Sequence, residues 1–395
     1  MPPAPSSRVP AALPPLTADA RAHSARVFAH IAQTISMADG WISFADYMGA
    51  ALYAPGLGYY VAGARKFGAD ADFVTAPELT PLFSRALAAQ AAEVLAQVPD
   101  GQLIELGPGT GRLAADMLLE LAARDALPSS YFLLEVSPDL RERQLMHLQQ
   151  RVPKLMQRVA WIDALPQEWH GVIVANEVLD AIPPHLVARI DGAWFERGVG
   201  LSRQGRFAFV DRPLEHGPLR DAAESRFPRE GDYVSEINPA AQALVSALGQ
   251  RCGSGALIVF DYGFPASEYY HPQRCTGTLM THFRHRVVAD PFFHPGLADL
   301  TAHVDFTAIA QAGVSGGMTI AGYATQARFL INAGILDALA RCADVNSAAY
   351  LREAAAVQKL LSPAEMGELF KTMALTRGIS ERLLGFREGD QVARL

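Results

Sequence analysis

An acid and three alternate glycines, Glu105–Leu106–Gly107–Pro108–Gly109–Thr110–Gly111, carry the strongest chemical signal in the chain. Glycine permits positive φ and lets a ligand touch bare backbone. A helix beginning just beyond such a turn aims amide N–H groups and the positive end of its dipole at an anion or a nucleotide-like ligand. A second acid, Glu135, ends an apolar run 24 residues beyond Gly111, and a carboxylate there can accept both hydroxyls of a ribose. Two further acids, Glu177 and Asp180, follow Asn176 after another apolar run. At that spacing they fall on one side of a helical turn and could hold a guanidinium or an amine, or else serve only as helix-start acids favoured by the dipole. His303 could act as a base on the substrate side. His282 and His285 have metal-ligand spacing, but nothing around them signals a helix, so no metal is expected.

The elements that must position these residues read as an α/β fold. The run 102–106 suits a buried parallel strand, and a helix follows over 112–123. Further strands are predicted at 131–135, 159–163, 171–175, 256–260 and 318–323. Ser137 and Pro138 start a helix after the second of these, with a capping hydroxyl and a proline at the first position. In such a sheet, ligands bind outside the carboxyl ends of the strands, which gathers Glu105, Glu135, Asn176, Asp261 and Tyr262 at one edge. Residues 186–190 and 193–201 flank Asp191–Gly192 and read as a hairpin with a type I′ turn. Residues 20–100 read as helices with no sheet of their own, packed as a lid, and residues 1–19 as a disordered arm. Stretches at about 202–235 and 264–300 read as insertions, the first irregular and the second a long loop. Asp305 and Gly313 are expected to cap a helix, and residues 331–395 to be largely helical, packed on a core spanning 101–330.

Composition limits the rest. At 395 residues, half of them hydrophobic and 19% charged, the chain can build a large core. A net charge of −7 argues against general nucleic-acid binding and mildly favours a basic protein partner. Cys252, Cys275 and Cys342 are far apart and form no C-x-x-C pair, so neither disulfides nor structural zinc is expected. No apolar run approaches the ~18 residues of a membrane span. The Pro- and Ala-rich start lacks a secretory pattern, so a cytoplasmic, bacterial-type protein is expected rather than one of the mitochondrial matrix.

Acid-x-Gly-x-Gly-x-Gly resembles motif I of the class I S-adenosyl-L-methionine (SAM) methyltransferases. A dinucleotide fingerprint would need a small residue where Arg112 stands, which disfavours an oxidoreductase. The match becomes closer with Tyr47–Met48, Gly58–Tyr59–Tyr60, Asp72–Phe73–Val74–Thr75–Ala76–Pro77–Glu78, Asn176–Glu177–Val178–Leu179–Asp180–Ala181, Asp261–Tyr262–Gly263, Asp299–Leu300–Thr301–Ala302–His303–Val304–Asp305–Phe306 and Gly322–Tyr323–Ala324–Thr325–Gln326. In this order the blocks resemble the MidA-type methyltransferases, relatives of a mitochondrial assembly factor of respiratory complex I.

The resemblance implies a class I, Rossmann-like fold with a mostly parallel sheet, SAM as cofactor, and protein-arginine methylation yielding symmetric dimethylarginine. It implies that Glu105, Gly107, Pro108, Gly109 and Gly111 hold the methionine part, Glu135 and Ser137 the ribose, and Asp163 and Ala164 the adenine. Thr75, Glu78 and Asn176 would complete the cofactor set, with Glu177, Asp180, Asn176 and His303 at the reacting group. One departure is Ala71, where the family commonly has glycine, which alters a turn rather than a polar site. The implied partner is a protein bearing a basic or arginine-containing segment, and both monomer and homodimer stay open. Two readings compete: a SAM-binding assembly chaperone, and a methyltransferase of a small molecule.

Overall fold

The computed structural model describes residues 15–62, 75–284 and 286–395. Seven strands form the continuous path of the eight-stranded central sheet: β1 (Gln102–Leu106), β2 (Tyr131–Leu134), β3 (Val159–Ile162), β4 (Trp169–Asn176), β5 (Cys252–Phe264), β6 (Thr319–Thr325) and β7 (Phe370–Arg377), with the short strand Val304–Asp305 paired off that path to the end of β5. Their order is β3, β2, β1, β4, β5, β7, β6; the first five are parallel, and β7 runs antiparallel between β5 and β6. The chain therefore has the expected α/β architecture. The order reverses between β1 and β4, and their carboxyl ends diverge there to leave a crevice.

Both faces of the sheet are covered, as a parallel sheet requires. Strand alternation sends Leu103, Val172 and Val174 into one core layer and Ile104, Leu106 and Ile173 into the other. Helices Pro81–Leu95 and Arg112–Ala123 fill the first layer through Phe83, Leu87, Leu113, Met117 and Leu121. Helices Pro239–Gln250 and Phe306–Ser315 fill the second through Val245, Leu248 and Ile309.

Several expectations are corrected. Ile42 and Ser43 pair with Val199 and Gly198, so the N-terminal part contributes a strand after all. It joins an antiparallel sheet of Ala193–Leu201, His185–Ile190, Phe207–Pro213 and Tyr233–Ile237, on which Phe44, Tyr47 and Leu52 pack. Asp191 and Gly192 have the positive φ of a type I′ turn, 49° and 78°. The stretch after it, expected to be irregular, holds the strand Phe207–Pro213 and the helix Pro218–Arg226. Residues 264–300 form the short helix Ala266–Tyr269 and a small sheet of Met280–Phe283, Arg286–Val288 and Asp299–Thr301.

Gly313 lies inside the helix Phe306–Ser315, whose Asp305 cap accepts from the Ala308 amide. Residues 331–395 are not largely helical throughout, because Phe370–Arg377 is the buried strand between β5 and β6. Lys371 and three threonine or arginine positions hide it from a hydropathy reading, and burial by two neighbouring strands overrides that weak local preference. Helix Ala18–Met37 begins within the segment read as an arm; residues 1–14, and the Ala71–Val74 part of the second family block, lie outside the described residues. Among the described residues no helix is long and apolar enough to cross a membrane.

Candidate active site

The glycine turn leaves β1 at the crevice. Gly107, Gly109 and Gly111 have φ of 59°, 54° and 81°, the left-handed region that glycine enters without cost. Gly111 is the N-cap of Arg112–Ala123, whose leucines, alanines and methionine favour helix. Thr110 Oγ1 donates to Glu78 Oε1 at 2.5 Å, and Arg112 Nη1 donates to the Glu78 carbonyl at 2.9 Å, so Glu78 is tied to the turn. Glu105, only 2% exposed, accepts from the Tyr131 hydroxyl at 2.7 Å. Burial pushes its carboxyl up to about 8, against the pull of that hydrogen bond and with a further push from Glu135.

Glu135 follows β2 and faces the same crevice. It accepts from the Ser137 amide at 2.8 Å and from Gln144 Nε2 at 3.0 Å. Burial raises its pKa, while these donors oppose the shift. The Ser137 hydroxyl turns away to cap the Leu140 amide of helix Pro138–Arg151. Gln144, fully buried, is a site residue that no motif announces. Its Nε2 also donates to the Gly109 carbonyl at 2.8 Å, and its Oε1 accepts from Trp161 Nε1 at 2.8 Å. One side chain thus locks the glycine turn to Glu135. Losing a hydrogen bond to a charged group costs ~1.5–3 kcal/mol, so Gln144→Leu is expected to weaken SAM binding about tenfold or more, read by calorimetry. An unchanged Kd would remove Gln144 from this role.

The segment after β4 is not the helical turn that the spacing suggested. Glu177 has φ of 52°, and its amide donates to the Phe260 carbonyl at 2.8 Å. Asp261 Oδ2 accepts from the Leu179 and Asp180 amides at 2.9 and 3.2 Å, so β5 shapes this turn. Asn176 Nδ2 donates to Glu177 Oε1 at 3.2 Å. Burial, then the nearby Asp180 charge, pushes Glu177 up to about 8; the Asn176 side chain and the Ala76 amide oppose it. Burial raises Asp180 to about 6, with the Tyr262 hydroxyl opposing. Asp180 is 5% exposed, and its Oδ1 accepts no hydrogen bond among the described residues.

These groups line one cavity of about 270 Å³. Its walls bring together Thr75, Glu78, Glu105, Gly107, Pro108, Gly109, Glu135, Asn176, Glu177 and Asp180, all expected from sequence. Tyr53, Tyr59, Tyr60, His282 and Asp299 complete them, contributed by the N-terminal part and the small inserted sheet. Sequence reasoning placed none of these five at the site. The signals were the aromatic turn at Gly58–Tyr59–Tyr60 and the family block that opens at Asp299.

Five expected site residues are not on the wall. Gly111 acts behind it, because a Cβ there would meet the Gln144 side chain at 3.3 Å. Ser137 acts through its backbone amide. Asp163 is 89% exposed and pairs with Arg141 at 2.6 Å, drawn toward solvent by the guanidinium, and Ala164 beside it is exposed. His303 stacks on Phe264 at 5.4 Å and packs edge-on against Tyr262, lining a separate small cavity. Burial, aided by Arg274, lowers its pKa to about 4, so it is neutral at pH 7 but cannot reach the main cavity wall as a base. His285 lies outside the described residues, and among those described no group of three His, Cys, Asp or Glu side chains could hold a metal.

Comparison with known proteins agrees with this geometry. The model of a family described as "Putative S-adenosyl-L-methionine-dependent methyltransferase" matches residues 86–324. A protein from Burkholderia thailandensis, solved with bound S-adenosyl-homocysteine, is 47% identical, with a TM-score of 0.94 over 97% of this chain and 100% of that one. The mitochondrial protein arginine methyltransferase NDUFAF7 of Danio rerio is 31% identical over 87% of this chain and 85% of its own. Its Caenorhabditis elegans homolog is 29% identical over 89% and 86%.

Proposed function

The chain belongs to the SAM-dependent methyltransferase family whose model it matches, and from that premise we propose that it methylates an arginine guanidinium of a protein. Symmetric dimethylarginine is the proposed product, and a respiratory complex I subunit is the candidate acceptor that the MidA-type resemblance suggests. The observation that carries the reading is the charge of the cavity. Glu78, Glu105, Glu135, Glu177, Asp180 and Asp299 line it, and among the described residues no Lys or Arg does. Buried carboxylates are costly unless they meet a cation, and both the cofactor and a guanidinium are cations.

The residues fit the cofactor. Glu105 would take its ammonium, the Gly107–Gly109 backbone its methionine part, and Glu135 its ribose hydroxyls. When bound, SAM supplies an electrophilic sulfonium methyl, whose bond to sulfur breaks as the bond to nitrogen forms. Glu177 and Asp180 would orient the guanidinium, and its lost proton passes to a Glu177 carboxylate oxygen. With cofactor and acceptor filling it, the tyrosine-walled cavity would hold the reactants close, which supplies much of the rate.

Incubating the purified protein and labelled SAM with extract of a strain lacking it tests the reading. Label on arginine of a protein is expected. Label confined to a small molecule, or to another side chain, would overturn it.

The proton held by Glu105 gives a second expectation. Its carboxyl, raised to about 8, is largely protonated in the free protein at neutral pH, whereas an ammonium beside it favours the carboxylate. Cofactor binding therefore releases a proton, and affinity rises with pH and levels off near 8, where Glu105 ionises unaided. Calorimetry in buffers of different ionisation enthalpy should register close to one proton released. A pH-independent affinity would take Glu105 away from the ammonium.

A further inference from the structure

We propose that Arg112 is a positioning residue for the cofactor, acting through Glu78 to fasten the segment Ala76–Leu79 across the glycine turn. The inference needs the SAM site and not the arginine reading above. Ala76–Leu79 is one turn of helix whose N-cap, Thr75, makes no side-chain capping bond, and a single turn is not stable unaided. Thr75, Pro77 and Glu78 nonetheless form part of the cavity wall, so ties from other elements hold them there.

Those ties run to the glycine motif. Thr110 donates to the Glu78 carboxylate and Arg112 Nη1 to the Glu78 carbonyl, so both ends of one residue are gripped. Arg112 Nη1 also lies 3.6 Å from Glu78 Oε2. Arg112 is the first residue of helix Arg112–Ala123, where a cation opposes the helix dipole. Asp116 does not account for a cation there. It lies 3.8 Å from Arg112 Nε, but Arg151 Nη2 already donates to it at 3.1 Å. A guanidinium fork can serve a carbonyl and a carboxylate at once, which suits Glu78. Gln144 anchors the glycine turn at Gly109, and Glu78 anchors it at Thr110, so two separate elements fix adjacent residues of the cradle. A ligand that orders the turn therefore orders Ala76–Leu79 through the same bonds, and by reciprocity a fixed segment favours the ligand.

The test uses the full chain and S-adenosyl-homocysteine. Arg112→Met, which keeps an unbranched stem but has no donor, should bind it about tenfold more weakly or worse by calorimetry. Its ligand-free Tm should stay within about 2 °C of wild type, because a pair with a third of one side chain exposed adds little to folding. Arg112→Lys restores a charged donor and should bind within about threefold of wild type; it also keeps the comparison open if Arg112→Met does not fold. Glu78→Ala should weaken binding too, and adding Arg112→Met to it should cost no more than about a further threefold. In hydrogen exchange, saturating ligand should slow the amides of 76–80 and 107–112 together in wild type, and only those of 107–112 in Arg112→Met. Wild-type affinity in Arg112→Met, losses that multiply in full in the double variant, or protection of 76–80 that survives the substitution would each overturn the inference. The arginine reading would stand in every case, since no methyl acceptor enters the experiment.

Discussion

Glu177→Gln leaves a protein that binds SAM within about threefold of wild type yet transfers methyl groups roughly 10²–10⁴ times more slowly, the range that general-base catalysis supplies. Glutamine matches glutamate in shape and keeps a carbonyl oxygen for the acceptor, but it cannot take a proton. The left-handed backbone at this position, φ of 52°, is held by the Glu177 amide on the Phe260 carbonyl and by Asp261 beneath Leu179 and Asp180. None of those bonds involves the exchanged group, so the turn should persist.

The pH profile gives the sharper reading. The Glu177 carboxyl sits near 8 because it is buried and the Asp180 and Asp299 charges oppose its ionisation, and its base form appears only as pH rises. For wild type, kcat/KM should therefore climb toward about pH 8, and Glu177→Gln should lose that limb while retaining the rise in affinity that belongs to Glu105. Methyl transfer by Glu177→Gln at the normal rate would assign the proton to another group.

Gly107→Val should abolish cofactor binding. Its φ of 59° is a conformation that a β-branched residue adopts only under strain, and a Cβ there would sit 3.2 Å from Val178 Cγ2. Val178 lies between Asn176 and Asp180 on the opposite lip, so the added methyls press on the acceptor turn and fill the path of the cofactor's methionine part. With ligand at a hundredfold its Kd, wild type should gain about 2.7 kcal/mol of stability and a matching rise in Tm. Gly107→Val should keep its sheet, judged by circular dichroism, and show no such rise. A Tm shift equal to that of wild type would mean that the glycine turn does not cradle the cofactor.

The sequence by itself determined whatever is local. Alternate glycines after an apolar run dictate a strand, a left-handed turn and a helix start, because few other residues tolerate those φ values at a ligand. Apolar runs bounded by acids and turns located the ends of β1, β2 and β4, whereas β5 runs on past the expected Phe260 to Phe264, and a parallel sheet collects its carboxyl ends on one edge. Glu105, Glu135, Asn176, Glu177 and Asp180 were therefore legible before any coordinates.

Tertiary structure alone decided what depends on register and on partners distant in the chain. Phe370–Arg377 looks unremarkable locally, yet β5 and β6 enclose it and make it a central strand. Asp163 also ends a strand, but β3 is the sheet's edge and Arg141 holds the carboxylate at the surface. Gln144, Tyr60 and Asp299 carry no spacing signal, since each meets the site through hydrogen bonds spanning between 9 and 239 positions of sequence. Local pattern fixes which way the chain runs, but only the packed fold fixes which side chains a cavity shares.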